Sequence, residues 1–280
     1  MAEKIAWLTH FVNHLLGPVA MALLNALHIQ PKDSELPIPQ HVVMAVVVVI
    51  LGTILALILR SRLSVEKPGA MQQVAEILLT NPLGFGIKDL LEENVHHGAS
   101  QFIPFVGTIS VFVLVGNLMG AFPNSFLQAP TGDPTVPLAC ASLTFLYFNW
   151  QGMRRLGLGH YLLTFAGNPQ GRGIGAWALA ILLFPVEIVS TTARILSLTV
   201  RLWANMFASD LIYGIFLALL AGGATFGWSK SPVLGIVLAI FPAIIPVAFI
   251  GLHIFVSVIQ AYVFTVLPAV YLGLATAEEH

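Results

Sequence analysis

The chain has 280 residues, 57% of them hydrophobic and only 9% charged, with a mean hydropathy of +0.88. Soluble globular proteins carry about 25% charged residues, so this composition excludes a soluble domain and points to an all-α, polytopic membrane protein. The formal net charge of -1 comes with no basic block, which excludes a nucleic-acid surface, and the single cysteine, Cys140, excludes an internal disulfide and a cysteine-based metal site.

Residues 1–40 read as a weakly amphipathic N-terminal segment. They lack the cationic start, clean apolar core and small-residue cleavage site of a signal peptide. The membrane domain is expected over 41–280. A spanning helix needs about 20 mostly apolar residues, and the first such run is His41 to Leu59, closed by Arg60 and Arg62. The segment 67–100 opens with Pro68-Gly69 and scatters Glu76, Lys88, Asp89, Glu92 and Glu93 among leucines and isoleucines. That mixture predicts an interfacial segment lying on the bilayer. Phe102 to Phe122 is a second span. A loop rich in Pro and Gly follows over 123–137, then a shorter third span from Val136 to Trp150, ended by Arg154-Arg155. A Gly-rich loop at 167–173 leads into two long apolar stretches, about 175–226 and 232–275, separated at Gly227–Pro232.

The positive-inside rule orients this scheme. Arg60, Arg62, Lys67, Lys88, Arg154, Arg155 and Arg172, seven of the twelve Lys and Arg residues, fall on one side, and Lys4, Lys32 and Lys230 on the other. The N-terminus is therefore expected outside, with 67–100 and 151–173 cytoplasmic. Arg194 and Arg201 remain inside the apolar part.

Glu187, Ser190, Arg194, Ser197, Arg201 and Asn205 follow one another in steps of 3, 4, 3, 4 and 4. On an α-helix those steps keep one face, and the stripe covers about 27 Å, close to a bilayer core. Asp210 lies nine residues beyond Arg201, about half a turn around. The last stretch adds His253 and Gln260, seven apart and on a common face, with Ser257 between them. Serines in membrane helices usually bond back to their own helix, which accounts for Ser190 and Ser197. For His253 a satisfied packing role and a functional one weigh about equally. Four ionisable groups in one stretch (Glu187, Arg194, Arg201 and Asp210) exceed what a structural ion pair needs. Arg201 carries the sharpest signal. Its charge cannot be titrated away, and in hydrocarbon it costs from about 3 to above 10 kcal/mol. A permanent charge at that depth implies a carboxylate partner, an ion path or a voltage sensor.

The remaining motifs are weaker. His96-His97 near Glu92-Glu93 read as a solvated polar patch, with no metal-ligand spacing. His10, Asn13 and His14 have the same bland reading, and Asp133 reads as a turn residue. No phosphate loop, GxSxG or HExxH run supports a soluble-type catalytic site or a cofactor.

Leu198-Thr-Val-Arg201-Leu-Trp-Ala-Asn205-Met resembles the SLxxRLxxNMxA run of subunit a of the bacterial F-type ATP synthase, and Ile259-Gln260-Ala-Tyr-Val-Phe264 resembles its xQAFIF run. Lys67-Pro-Gly-Ala-Met-Gln-Gln-Val-Ala-Glu76, Val95-His-His-Gly98 and the ending Tyr271-Leu through Glu278-Glu279-His280 are also similar to the family, so the likeness runs from about Gln40 to His280. The resemblance implies a proton-translocating stator subunit that makes and breaks no bonds itself and holds no cofactor or metal. Its expected partners are the c-ring, the b-type peripheral stalk and the lipid of the bacterial plasma membrane. It implies that Arg201 faces the essential carboxylate of the rotating ring, that Gln260 sits near Arg201, that Glu187 lies on the cytoplasmic outlet, and that Asn205, Asp210 and His253 line the inlet. It also implies a non-catalytic basic role for Arg194, where relatives often carry lysine. The chain departs from the usual Glu at Asp210 and the usual Gly at Ser209. Hydropathy alone reads 175–275 as three or four ordinary spans, whereas the resemblance implies a steeply tilted hairpin, for about five to six membrane helices in all.

Such a role fits the physics. An inlet and an outlet each need a polar path partway across the membrane, with a barrier between them. A fixed cation favours the ionised form of a carboxylate passing it and repels a proton moving straight through. The rival from another class is a secondary ion-coupled transporter. It predicts an internal repeat and broken helices, and the sequence has neither.

Overall fold

In lipid every backbone N–H and C=O must be satisfied internally, which leaves helices as the solution for uniformly apolar runs such as these. The computed structural model describes residues 7–31, 33, 35–81, 84–95, 98–121, 128–165 and 174–276, without the side chains of 162, 164, 165, 174–179, 239–246 and 276. Among the described residues all regular structure is helical. In order these are α1 (Trp7–Ala26), α2 (Gln40–Ser61), α3 (Ala70–Leu79), α4 (Ile87–Asn94), α5 (Ile103–Met119), α6 (Thr135–Leu156), α7 (Leu158–Phe165), α8 (Ile174–Lys230) and α9 (Pro232–Thr276). Short 3₁₀ turns at Ala99–Gln101 and Pro130–Gly132 precede α5 and α6. The chain is thus an all-α polytopic membrane protein. Among the described residues four helices are long and apolar enough to span, in α1, α2, α8 and α9, and α5 is a shorter apolar helix. The loop at 167–173, His96-His97, Lys4, Lys32 and the last four residues lie outside the described residues.

The local reasons are legible. The segment after α2 breaks into α3 and α4, with Gln72 bonded to both the N–H and the C=O of Ser64 and Asp89 accepting from the Asn81 N–H at 2.7 Å. α6 runs six residues past Trp150, the expected end of its span. Arg154 and Arg155 in its last turn favour that extension through the helix dipole, and Gly157, at φ +78°, supplies the left-handed residue that ends it. α8 holds 57 residues, so it is about 85 Å long if straight, far beyond the roughly 30 Å of bilayer hydrocarbon. The hairpin from α8 into α9 turns at Ser231, whose Oγ accepts from the Leu234 N–H at 3.2 Å, with Pro232 at the first helical position. Gly227 and Gly235 make that turn possible, because a Cβ at 227 would collide with the Gly235 backbone.

The chain divides into two compact units: residues 1–54, 112–136 and 202–260 form the first, and 55–111, 137–201 and 261–280 the second. The first unit has a core of Met44, Val48 and Met119, with Leu8 and Phe112 packed against it. The second is larger and aromatic. Phe102, Val106, Phe148 and Leu272 are buried, the Phe105 and Tyr147 rings stack with centroids 3.7 Å apart, and the Arg155 guanidinium lies over the Phe102 ring. On α8 the division falls between Arg201 and Leu202, and on α9 between Gln260 and Ala261.

Candidate functional site

The second unit contains Glu187, Arg194 and Arg201 on the single helix α8, as the stripe of steps predicts. Arg194 is fully engaged. Its Nη2 lies 3.5 Å from the Glu187 carboxylate and 3.4 Å from Ser190 Oγ, and its guanidinium sits 5.2 Å from the centre of the Tyr271 ring on α9. An ion pair, a hydroxyl and an aromatic face together spread its charge. The Glu187 main-chain carbonyl and carboxylate both receive the Thr191 hydroxyl, at 2.7 and 3.5 Å. Arg201 differs. It is exposed, and among the described residues it makes no ion pair and no hydrogen bond.

The first unit gathers the other polar residues. His253 is 5% exposed and its Nε2 lies 3.0 Å from the main-chain carbonyl of Asn117. Ser257 returns its hydroxyl to the His253 carbonyl at 2.8 Å, the back-bond expected of serine in a membrane helix. Asp210 is exposed on α8, its carboxylate reaches Gly132, and it interacts electrostatically with His253. Asn205, one turn after Arg201 on α8, is half-buried. Gln260 is 3% exposed, and its Oε1 has no hydrogen-bond partner among the described residues.

Two residues of this cluster go unmarked in the sequence reading. Asn117 and Thr131 are both fully buried, and the Thr131 hydroxyl donates to Asn117 Oδ1 at 2.6 Å. The Asn117 Nδ2 is buried without a partner among the described residues. An amide alone in the apolar run from Val111 to Met119 is the signal that would have found Asn117, since intramembrane polar groups are expensive. Thr131 leaves no such signal in its Pro/Gly-rich surroundings. Asp133 does serve its turn, accepting from the Thr135 N–H at 2.9 Å, and it also lies 3.4 Å from His41 Nδ1. The His41–Asp133 pair borders a cavity of about 590 Å³ whose wall includes Thr9, Asp33, Pro37 and Gly132. Asn13, read as a bland tail residue, ties α1 down: its amide both gives to and takes from the Ile38 main chain at 2.9 Å.

Chemically, the first unit brings together buried hydroxyl, amide and imidazole groups, with the exposed Asp210 carboxylate on α8. On α8 the second unit supplies Arg194, paired with Glu187, and Arg201, which has no ion pair among the described residues. Comparison with known proteins matches residues 41–273 to the family described as ATP synthase A chain. The chain is 37% identical over 275 residues to an ATP synthase subunit a of Koribacter versatilis, covering 98% of both chains. It is 37% identical over 270 residues to that of Solibacter usitatus, covering 96% of this chain and 100% of the relative. A third relative, ATP synthase subunit a of Desulfosudis oleivorans, is 32% identical over 213 residues, 76% of this chain and 78% of the relative.

Proposed function

The chain belongs to the ATP synthase A chain family, and on that premise we propose that it is the proton-translocating stator subunit of a rotary F-type ATP synthase, with Arg201 separating two half-channels. Asn205, Asp210 and His253 serve the outer inlet. Glu187 serves the cytoplasmic outlet, and Gln260 serves the path as an amide that does not titrate. The partner of Arg201 is the ionised carboxylate of a c-ring subunit, and the b-type peripheral stalk holds the subunit against rotation. Each proton falling through the paths releases about 2.3 kcal/mol per 100 mV, which drives rotation. Catalysis of ATP synthesis belongs to other subunits of the complex.

The observation that carries this reading is the isolation of Arg201. A guanidinium in an apolar helix is costly, and among the described residues none neutralises it, although Glu187 neutralises Arg194 two turns earlier. A partner carboxylate from outside the chain removes the cost, and a carboxylate that moves on and is replaced by the next makes the charge useful. The gathering of Lys and Arg on the loops expected inside supports an N-terminus outside.

The test is ATP-driven acidification of inverted vesicles carrying the complex with Arg201→Gln. Acidification is expected to fall at least about a hundredfold, as for loss of a pre-organised charge, with normal assembly. Pumping at the parental rate by the assembled variant overturns the reading.

A further inference from the structure

We infer that the main chain of Asn117 holds His253 as the Nε2–H tautomer, so that every proton His253 exchanges passes through Nδ1 alone. The inference rests on the proton-path reading above for its functional consequence, and on geometry for the tautomer itself.

The argument starts at the end of α5. The last carbonyls of a helix lack a partner four residues on, and α5 ends at Met119, so the Asn117 carbonyl is free to look elsewhere. One lone pair takes the Gly120 N–H at 3.0 Å. The other faces His253 Nε2 at 3.0 Å. A carbonyl oxygen can only accept, so the nitrogen opposite it must carry the hydrogen. In the neutral ring the second nitrogen, Nδ1, is then the bare one. In the cation the proton that leaves is again the one on Nδ1, because removing the other would set two lone pairs against each other in a buried site.

The ring cannot easily turn over to exchange the two nitrogens. A Cβ at Gly120 would stand 3.2 Å from both Cε1 and Nε2 of His253 and 2.9 Å from the Ala129 Cβ. The imidazole therefore occupies the space a side chain at 120 would need. Asn117 is itself pinned, since Thr131 donates to its Oδ1 at 2.6 Å. A turned ring would point a C–H at the Asn117 carbonyl and leave that carbonyl with the Gly120 N–H as its one donor. Around the ring, α5 and the segment before α6 present Asn117, Gly120 and Ala129, which do not titrate, and α8 presents the carboxylate of Asp210.

The consequence is mechanistic. A histidine that conducts in line takes a proton on one nitrogen and releases another from the opposite one. With Nε2 tied to a carbonyl that cannot accept a proton, His253 has a single port. It lends a proton beside the path and takes it back, while the flow runs through Asp210. Asn117 and Gly120 are positioning residues that set this port.

The experiment is ¹⁵N NMR of the complete complex in lipid vesicles, grown with ring-labelled histidine. The signals of His253 are those lost in His253→Gln, whose amide nitrogen keeps a donor facing the Asn117 carbonyl. The expected neutral form has hydrogen on Nε2 and a bare Nδ1, and only Nδ1 changes as pH falls. A neutral form with hydrogen on Nδ1, or a mixture of the two tautomers, overturns the inference. Gly120→Ala is expected to shift the signals toward a mixture and to slow pumping roughly tenfold, since displacements of about an ångström cost up to about a hundredfold. Unchanged signals and unchanged pumping in Gly120→Ala overturn the positioning role. Parental pumping by His253→Gln, with the Nε2–H signal present in the parent, overturns the proton-path reading and the port with it, and leaves only the tautomer.

Discussion

Arg194 and Arg201 sit seven residues apart on one face of α8, and part of their local sequence repeats. Each has a serine four residues before it, Ser190 and Ser197. Seven residues before Arg194 stands Glu187, whereas seven residues before Arg201 stands Arg194 itself. The first register gives a 3.5 Å ion pair and the second gives none. Two identical side chains in one helix thus end as a compensated structural cation and an uncompensated one. The chemistry lies in the neighbour two turns back, and intramembrane charge alone does not mark a functional residue.

The strongest way to break this comparison is to supply the missing acid. Arg194→Glu places a carboxylate behind Arg201 in the register that Glu187 holds behind Arg194. Pumping by the assembled complex is expected to fall about a hundredfold, comparable to removing a pre-organised charge. Arg194→Gln removes a cation without adding an acid and is expected to keep most of the activity. Equal effects of the two substitutions would show that the register is irrelevant to Arg201.

Gln260→Leu gives a smaller effect. An amide cannot titrate and carries no proton itself, so transport is expected to slow by about tenfold, the cost of about an ångström of misplacement or less, and not to stop. Complete loss of proton uptake in well-assembled vesicles would show that the amide does more than orient.

Glu187→Gln is the mildest. Its carboxylate and the Arg194 guanidinium are both partly exposed, with side-chain exposures of 40% and 34%, and pairs in such settings contribute only about 0–1 kcal/mol. Stability of the complex is expected to change little, while pumping slows severalfold because the outlet loses a proton acceptor. Glu187→Asp is expected to pump faster than Glu187→Gln. Rates for the Gln form equal to the parent's at every pH tested would leave Glu187 as nothing more than the counter-ion of Arg194.

Much of this was legible in the residues. The α2 span, the position of α5, the break at Ser231 and the polar stripe on α8 all follow from runs and steps within one segment, where helix geometry alone decides who faces where. The extension of α6 past Trp150 was also local, but its signal lay in capping and charge, not in hydropathy. The site was read in part. Arg201, Glu187, Asp210, His253 and Gln260 stand out as polar residues in apolar surroundings. Asn117 carries the same signal more faintly, and Thr131 carries none.

By itself the sequence determined the membrane class, the α2 and α5 spans, the break between α8 and α9 and the family motifs around Arg201 and Gln260. Those features depend on composition and on neighbours a few residues apart. Only the tertiary structure decided which polar groups meet across helices. The Asn117 carbonyl and His253 are 136 residues apart in the chain, and Tyr271 reaches Arg194 from a different helix. Contacts of that kind are chosen by packing between distant segments, where a buried donor must find an acceptor. No period along the chain encodes that choice.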